Sequence, residues 1–167
     1  GLRLPDSTLG VVGCGHVGSR VCAVGRELGM RVLVCDPPVG APGYVGMDVI
    51  EREADVITFH VPLTDGGPYA TRHLADSRFF ASLGRRPFVV NTSRGAVVDN
   101  QALKAALLEG RVRQAVVDTW ENEPDIDPEL LRLVYIGTPH IAGYSADGKV
   151  NADNMAIDAL CRFFHLP

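Results

Sequence analysis

The sequence predicts an α/β domain built as a doubly wound parallel sheet. Three observations carry this. Short Val- and Ile-rich runs alternate with longer helical stretches, the runs are nearly continuous in apolar residues, and a glycine-rich turn joins the first run to the first helix. VITFHV from Val56 and FVV from Phe88 lack the strict alternation of half-exposed strands, as expected where helices cover both faces of a sheet. A repeated β-α-β-α order is the signature of that architecture.

Taken in order, residues 8–12 read as the first strand. A helix over 17–28 follows, with Val17, Val21, Val24 and Leu28 at helical spacing as its apolar face. The second strand covers 31–35, a short helix lies near 48–52, and the third strand covers 55–61. A helix over 75–83 leads to a strand at 87–91. The next helix, over 100–109, can be capped by Asp99 or Asn100 and is stopped by Gly110. Strands at 113–118 and 134–137 and a last helix from about Ala146 complete the pattern. No repeat, linker or low-complexity segment interrupts it, so one domain is expected over 1–167.

Composition sets limits on function. The chain has 167 residues, 46% hydrophobic and 22% charged, with a formal charge of −4. That is the profile of a globular domain. No basic run marks a nucleic-acid partner, and no apolar stretch is long enough for a membrane span. Cys14, Cys22, Cys35 and Cys161 show no CxxC pairing. They read as reduced core thiols in a cytoplasmic protein, and no metal site is expected.

The sequence GCGHVG at 13–18 fits the dinucleotide fingerprint GxGxxG. Three glycines alone are weak evidence, but this motif follows a strand and opens a helix. Gly13 permits the tight turn, Gly15 lets the backbone approach a pyrophosphate, and Gly18 lets helix and strand pack closely. The backbone N–H groups of His16 and Val17 then point at the phosphates, with the His16 imidazole at the surface. Asp36 ends the second strand, where an acid accepts hydrogen bonds from the adenosine ribose and repels a 2′-phosphate. Pro37 and Pro38 follow, with no Arg beside them. A Rossmann-type domain binding NAD rather than NADP is the expectation.

Arg94, Glu121 or Glu123, and His140 each lie just beyond a predicted strand. In open α/β sheets ligands bind outside the carboxyl ends of the strands, so these residues can converge there. A guanidinium grips a carboxylate with two parallel hydrogen bonds. A histidine, with an ordinary pKa near ~6.5, exchanges protons at neutral pH, and a neighbouring carboxylate tunes it. Residue types alone do not choose between Glu121 and Glu123.

At this point the sequence becomes specific. VVGCGHVGSRV, ADVITFHVPLT, FVVNTSRGAVVDNQAL, AVVDTWENEP and IGTPHIAGYS occur in that order. With them the chain resembles the D-isomer-specific 2-hydroxyacid dehydrogenase family over essentially its whole length. The resemblance implies that Arg94 holds the substrate carboxylate, His140 exchanges the hydroxyl proton, and Glu123 is its partner carboxylate, leaving Glu121 as a surface residue. It further implies cofactor contacts from Asp36, Val61, Pro62, Thr92, Ser93, Arg94, Asp118, Gly143 and Tyr144. Asp118 would bond the nicotinamide carboxamide; read from the residues alone, it is a strand-end acid capping the next turn. GGPYATRHLAD, DTWENEPDID and TPHIAGYSADGK are similar to a branch of the family acting on a small phosphorylated 2-hydroxy acid. A substrate domain and a dimerisation segment are then expected outside these residues, with a homodimer as the full protein. The competing readings are a phosphoglycerate or glyoxylate/hydroxypyruvate enzyme of the same family, a non-catalytic NAD-sensing module, and a methyltransferase using a similar loop.

Overall fold

A computed structural model describes residues 3–143. Six parallel strands form one sheet: β1 (Thr8–Val12), β2 (Arg31–Cys35), β3 (Val56–Phe59), β4 (Phe88–Asn91), β5 (Gln114–Val117) and β6 (Ile136–Gly137). Their spatial order is β2-β1-β3-β4-β5-β6. The chain begins at β1, moves out to β2, then crosses back to β3 and proceeds to the far edge. β1 pairs with β2 through Leu9↔Val32 and with β3 through Leu9↔Val56. The direction of winding therefore reverses between β1 and β3, and a ligand crevice opens beyond the carboxyl ends at such a reversal. All five residues of β1 are buried, whereas both residues of the edge strand β6 are exposed.

Among the described residues, five α-helices flank the sheet: α1 (His16–Glu27), α2 (Met47–Glu53), α3 (Ser77–Ala81), α4 (Asn100–Leu108) and α5 (Pro128–Leu133). One core cluster includes Ile50, Phe59, Phe79, Leu103 and Leu130; the other is smaller and joins Leu9, Val11, Cys22, Met30 and Val34. Asp76, Asp99 and Asp127 each accept two backbone N–H groups at the starts of α3, α4 and α5. Each cap satisfies donors that a helix cannot satisfy internally.

Three expectations are corrected. The face of α1 against the sheet is Gly18, Cys22 and Gly25, while Val17, Val24 and Leu28 are exposed at 60%, 52% and 47%. Core side chains leave no room for valines there: a Cβ on Gly25 would lie 2.6 Å from Leu9 Cδ2. The helix expected over 75–83 begins only at Ser77, because Ala75 bridges to Val98 and Asp76 caps the first turn. α5 was not expected at all. Cys14, Cys22 and Cys35 are free thiols; Cys161 and the helix expected from Ala146 lie outside the described residues. No helix among the described residues is long and apolar enough to cross a membrane.

Candidate functional site

The glycine loop leaves β1 and enters α1 under tight steric control. Gly13 has φ +86°, and a Cβ there would lie 2.6 Å from the His60 carbonyl oxygen. A Cβ on Gly18 would lie 2.0 Å from the Gly13 carbonyl oxygen, so this is where helix and strand meet. Gly15 has nothing within 4 Å of its would-be Cβ, so its backbone faces open space. Gly15 also caps α1, and no side chain occupies the amides of His16, Val17 and Gly18 at the first turn. Unpaired N–H groups and the positive end of the helix dipole suit a pyrophosphate.

Beside the loop is a cavity of about 560 Å³, lined by Asp36, Pro37 and Pro38 after β2, by Met47 of α2, and by His60, Val61, Pro62 and Tyr69 after β3. Asp36 Oδ2 accepts the Cys14 N–H at 2.7 Å, which ties the second strand's terminal carboxylate to the glycine loop. His60 lies on the cavity wall, and its Nε2 is 2.9 Å from Thr58 Oγ1. Burial holds the His60 pKa below its ordinary value, keeping the ring neutral. His60 directly follows β3 and is not among the site residues that the sequence predicts. An open cradle at Gly15, free amides at α1 and a carboxylate at the β2 end together fit a dinucleotide without a 2′-phosphate.

The second part of the site is built on the ends of β4, β5 and β6. Asn91 ends β4 and is 1% exposed. Its Oδ1 accepts both the amide and the hydroxyl of Ser93, and its Nδ2 donates to the Arg94 carbonyl at 3.0 Å. Ser93 is thus turned inward, with Thr92 half-buried before it, and Arg94 is held at the exposed tip. Arg94 Nη1 donates to the Ser93 carbonyl at 2.7 Å, leaving the other guanidinium N–H groups for a ligand.

After β5, the Trp120 N–H donates to Glu123 Oε1 at 2.7 Å, and Glu123 Oε2 is 2.8 Å from His140 Nδ1. With Glu123 ionised, Nδ1 carries the proton, so the Nε2 lone pair of His140 is left for a substrate. Burial pushes the Glu123 pKa up, but the bonds from His140 and the Trp120 amide outweigh it and the net value is lowered.

Asp118 shapes the turn that carries His140. Its Oδ1 accepts from the Thr138 hydroxyl and, at 2.8 Å, from the Ile141 amide; its Oδ2 accepts the Ala142 amide at 3.0 Å. The Asp118 carbonyl also accepts the His140 N–H at 2.8 Å, and His140 sits at φ 55°. Burial raises the Asp118 pKa, yet these donors and the nearby His140 bring it below the ordinary value. Asp118 therefore caps the turn, with acceptor capacity left only on Oδ2. Gly143 is exposed with open space around it, and Tyr144 lies outside the described residues.

Glu121 is not the surface residue expected. Its Oε1 is 2.6 Å from His73 Nε2, and its Oε2 accepts the Asn100 amide at 2.8 Å. Asn100 Oδ1 accepts the Glu121 amide at 3.2 Å in return. Glu121 thus clamps the start of α4 to the β5 loop and to the loop after β3. Trp120 is buried, and its Nε1 donates to the Thr138 carbonyl at 2.8 Å. Gly95 touches the same loop: its would-be Cβ falls 1.9 Å from the Trp120 carbonyl oxygen. Arg94 and the His140–Glu123 pair are thereby brought to one rim, on strands spaced about 4.8 Å apart.

Comparison with known proteins now gives this geometry relatives. Residues 1–142 match the family model described as D-isomer specific 2-hydroxyacid dehydrogenase, NAD binding domain. The chain is 53% identical over 169 residues to erythronate-4-phosphate dehydrogenase of Bacteroides thetaiotaomicron, covering 98% of this chain and 49% of that protein. It is 45% identical over 167 residues to the Escherichia coli protein of the same name, covering 98% and 44%. The chain therefore spans about half the length of the curated relatives it matches. Among solved structures it is similar to D-lactate dehydrogenase from Aquifex aeolicus complexed with NAD and lactic acid. That likeness has a TM-score of 0.81 and 29% identity, and covers 98% of this chain and 55% of that one.

Proposed function

Because the chain belongs to the D-isomer-specific 2-hydroxyacid dehydrogenases, as their NAD-binding domain, we propose that it serves the NAD-dependent oxidation of 4-phospho-D-erythronate to 2-oxo-3-hydroxy-4-phosphobutanoate, a step of pyridoxine biosynthesis. The observation that carries the chemistry is the 2.8 Å pair of His140 Nδ1 and Glu123 Oε2 on the rim shared with Arg94. The substrate rests on the names of the relatives, which are about half identical to this chain.

Bound NAD supplies the hydride acceptor. Arg94 binds the substrate carboxylate and the developing carbonyl oxygen, using donors that its single bond to Ser93 leaves free. His140 Nε2 accepts the 2-hydroxyl proton, and ionised Glu123 stabilises the imidazolium that results. Gly13, Gly15, His16, Val17 and Gly18 hold the pyrophosphate, and Asp36 takes the ribose. Val61, Pro62, Thr92, Ser93, Asp118, Gly143 and Tyr144 complete the cofactor contacts in this reading. For Asp118, the remaining acceptor site on Oδ2 is the one available to the carboxamide. The substrate domain lies outside these residues and supplies the phosphate contacts. The full protein is a cytoplasmic homodimer, and the exposed Val17, Val24 and Leu28 on α1 suit a face covered in a larger assembly.

The test uses full-length protein, offered 4-phosphoerythronate with NAD, 3-phosphoglycerate with NAD, and glyoxylate with NADH. Preferred turnover of 4-phosphoerythronate is expected. A His140→Ala variant should keep NAD binding and lose turnover by at least about a hundred-fold. Near-normal turnover in that variant would remove His140 as the base.

A further inference from the structure

We propose that Tyr69 is an aromatic lid over the adenine end of the dinucleotide site, carried by the 64–71 loop that follows β3. The proposal rests on the NAD assignment and adds a residue to it.

The direction of the ligand follows from two fixed points. The open backbone at Gly15 marks the pyrophosphate, and Asp36 marks the adenosine ribose. In NAD the ribose stands between pyrophosphate and base, so the base lies past Asp36. There the cavity wall becomes apolar, formed by Pro37, Pro38 and Met47. The same lining includes Pro68, Tyr69 and Ala70 from the loop after β3. Because β2 and β3 lie on either flank of β1, prolines following one and an aromatic ring following the other line a cavity that suits a flat purine. Apart from Asp36 and the imidazole of His60, no residue lining the cavity carries a group that ionises near neutral pH.

The loop is held firmly at its base. The Thr64 amide donates to Thr71 Oγ1 at 2.8 Å, and the Thr71 amide donates back to the Thr64 carbonyl at 3.0 Å. Thr71 Oγ1 donates to the Pro62 carbonyl, and Thr64 Oγ1 donates to the Tyr69 carbonyl at 3.3 Å. This last bond fixes the backbone from which the Tyr69 ring projects. The tip between the two threonines contains Gly66 and Gly67, the latter at φ +87°, and a Cβ at either would meet nothing within 4 Å. The tip can therefore settle on a ligand without a steric obstacle, while its base stays registered to β3.

Tyr69 is 52% exposed although it lines the cavity. A stacked purine would cover that surface. Base–aromatic stacking is sequence-tolerant and sizeable, and its loss on alanine substitution corresponds to about a ten-fold fall in affinity.

Calorimetric titration of the full-length protein separates the ends of the ligand. Tyr69→Ala should raise the Kd for NAD and for ADP-ribose about ten-fold and leave that for nicotinamide mononucleotide within about two-fold of the wild type. Tyr69→Phe, which keeps the ring, should restore ADP-ribose binding. An unchanged Kd for ADP-ribose in Tyr69→Ala would overturn the lid. So would equal losses for ADP-ribose and nicotinamide mononucleotide, which would mark a general distortion. A wild-type protein that bound neither NAD nor ADP-ribose would overturn the cofactor assignment itself, and the lid with it.

Discussion

Replacing Gly95 by alanine tests how the Arg94 loop and the loop carrying Glu123 are joined, and with them the proposed catalytic role of this rim. The added Cβ would stand 1.9 Å from the Trp120 carbonyl oxygen, 2.2 Å from the Trp120 carbonyl carbon and 2.8 Å from the Glu121 nitrogen. All three are backbone atoms, so no side-chain rotation relieves the contact. An ordinary C···O approach is about 3.3 Å, which requires the β4 and β5 loops to separate by about 1.4 Å. That movement strains the two bonds between Glu121 and Asn100 and shifts the Trp120 amide that holds Glu123. Overpacking of this kind costs about 1–3 kcal/mol of stability. Misplacing catalytic groups by about 1 Å costs about a hundred-fold in rate. In full-length Gly95→Ala, kcat should therefore fall by about that factor, while the Kd for NAD, set mainly at β1 and β2, changes by less than about three-fold. Steady-state kinetics, calorimetric titration and scanning calorimetry read the three quantities. A kcat within two-fold of wild type would show that the Arg94 loop and the Glu123 loop are not positioned through this contact.

Three other perturbations have defined outcomes. Asp36→Ser removes the carboxylate that accepts the Cys14 amide and would repel a 2′-phosphate; NAD affinity should drop and the preference over NADP should narrow by about ten-fold or more, whereas an unchanged ratio of the two Kd values would exclude Asp36 from cofactor choice. Asp127→Ala deletes the cap of α5 and the partner of Lys104 Nζ at 2.6 Å; a loss of about 1 kcal/mol in chemical denaturation is expected, and a variant as stable as wild type would deny the cap any net role. The pH dependence follows from lowered pKa values at Asp118 and Glu123. The unfolded chain binds these protons more readily than the fold does, so their stabilisation is complete above the ordinary carboxyl range near ~4 and is lost as pH falls through the lower folded values. His60, lowered by burial, acts with the same sign but from nearer ~6.5. Melting followed by circular dichroism should show stability declining from about pH 7 and falling further below about pH 4, and a flat profile would contradict both assignments.

Much of the sheet could be read from the chain because each strand is a short apolar run followed by a turn residue. The strand order was not written there, since β1 meets β2 and β3 equally well by composition. The face of α1 was misread for a physical reason. Valines at helical spacing suggest burial, but the buried face of α1 is Gly18, Cys22 and Gly25, with Val21 only partly buried beside them. α5 is six residues long, too short for a periodic pattern; Asp127 before Pro128 was the available signal, and burial of Leu130 fixes the segment. In the site, the glycine spacing and the placement of Arg94, Glu123 and His140 after strands were legible. The supports were not. Asp118–Thr138 and His73–Glu121 bond across 20 and 48 residues, and no local pattern announces such a partner. Asn91 was hidden differently, as a polar residue ending an apolar run, where its amide organises the next four residues.

Trp120 is the only tryptophan in the 167 residues. Its indole N–H is committed to the Thr138 carbonyl, and its ring lies against Gly137, two and three positions before His140. The chain thus carries a built-in optical gauge at the turn that matters. Excited beyond the absorption of the four tyrosines, its emission reports on the surroundings of the turn that carries His140. Occupation of the site, titration of Glu123 or loosening of the 138–142 turn can each be followed in unlabelled protein.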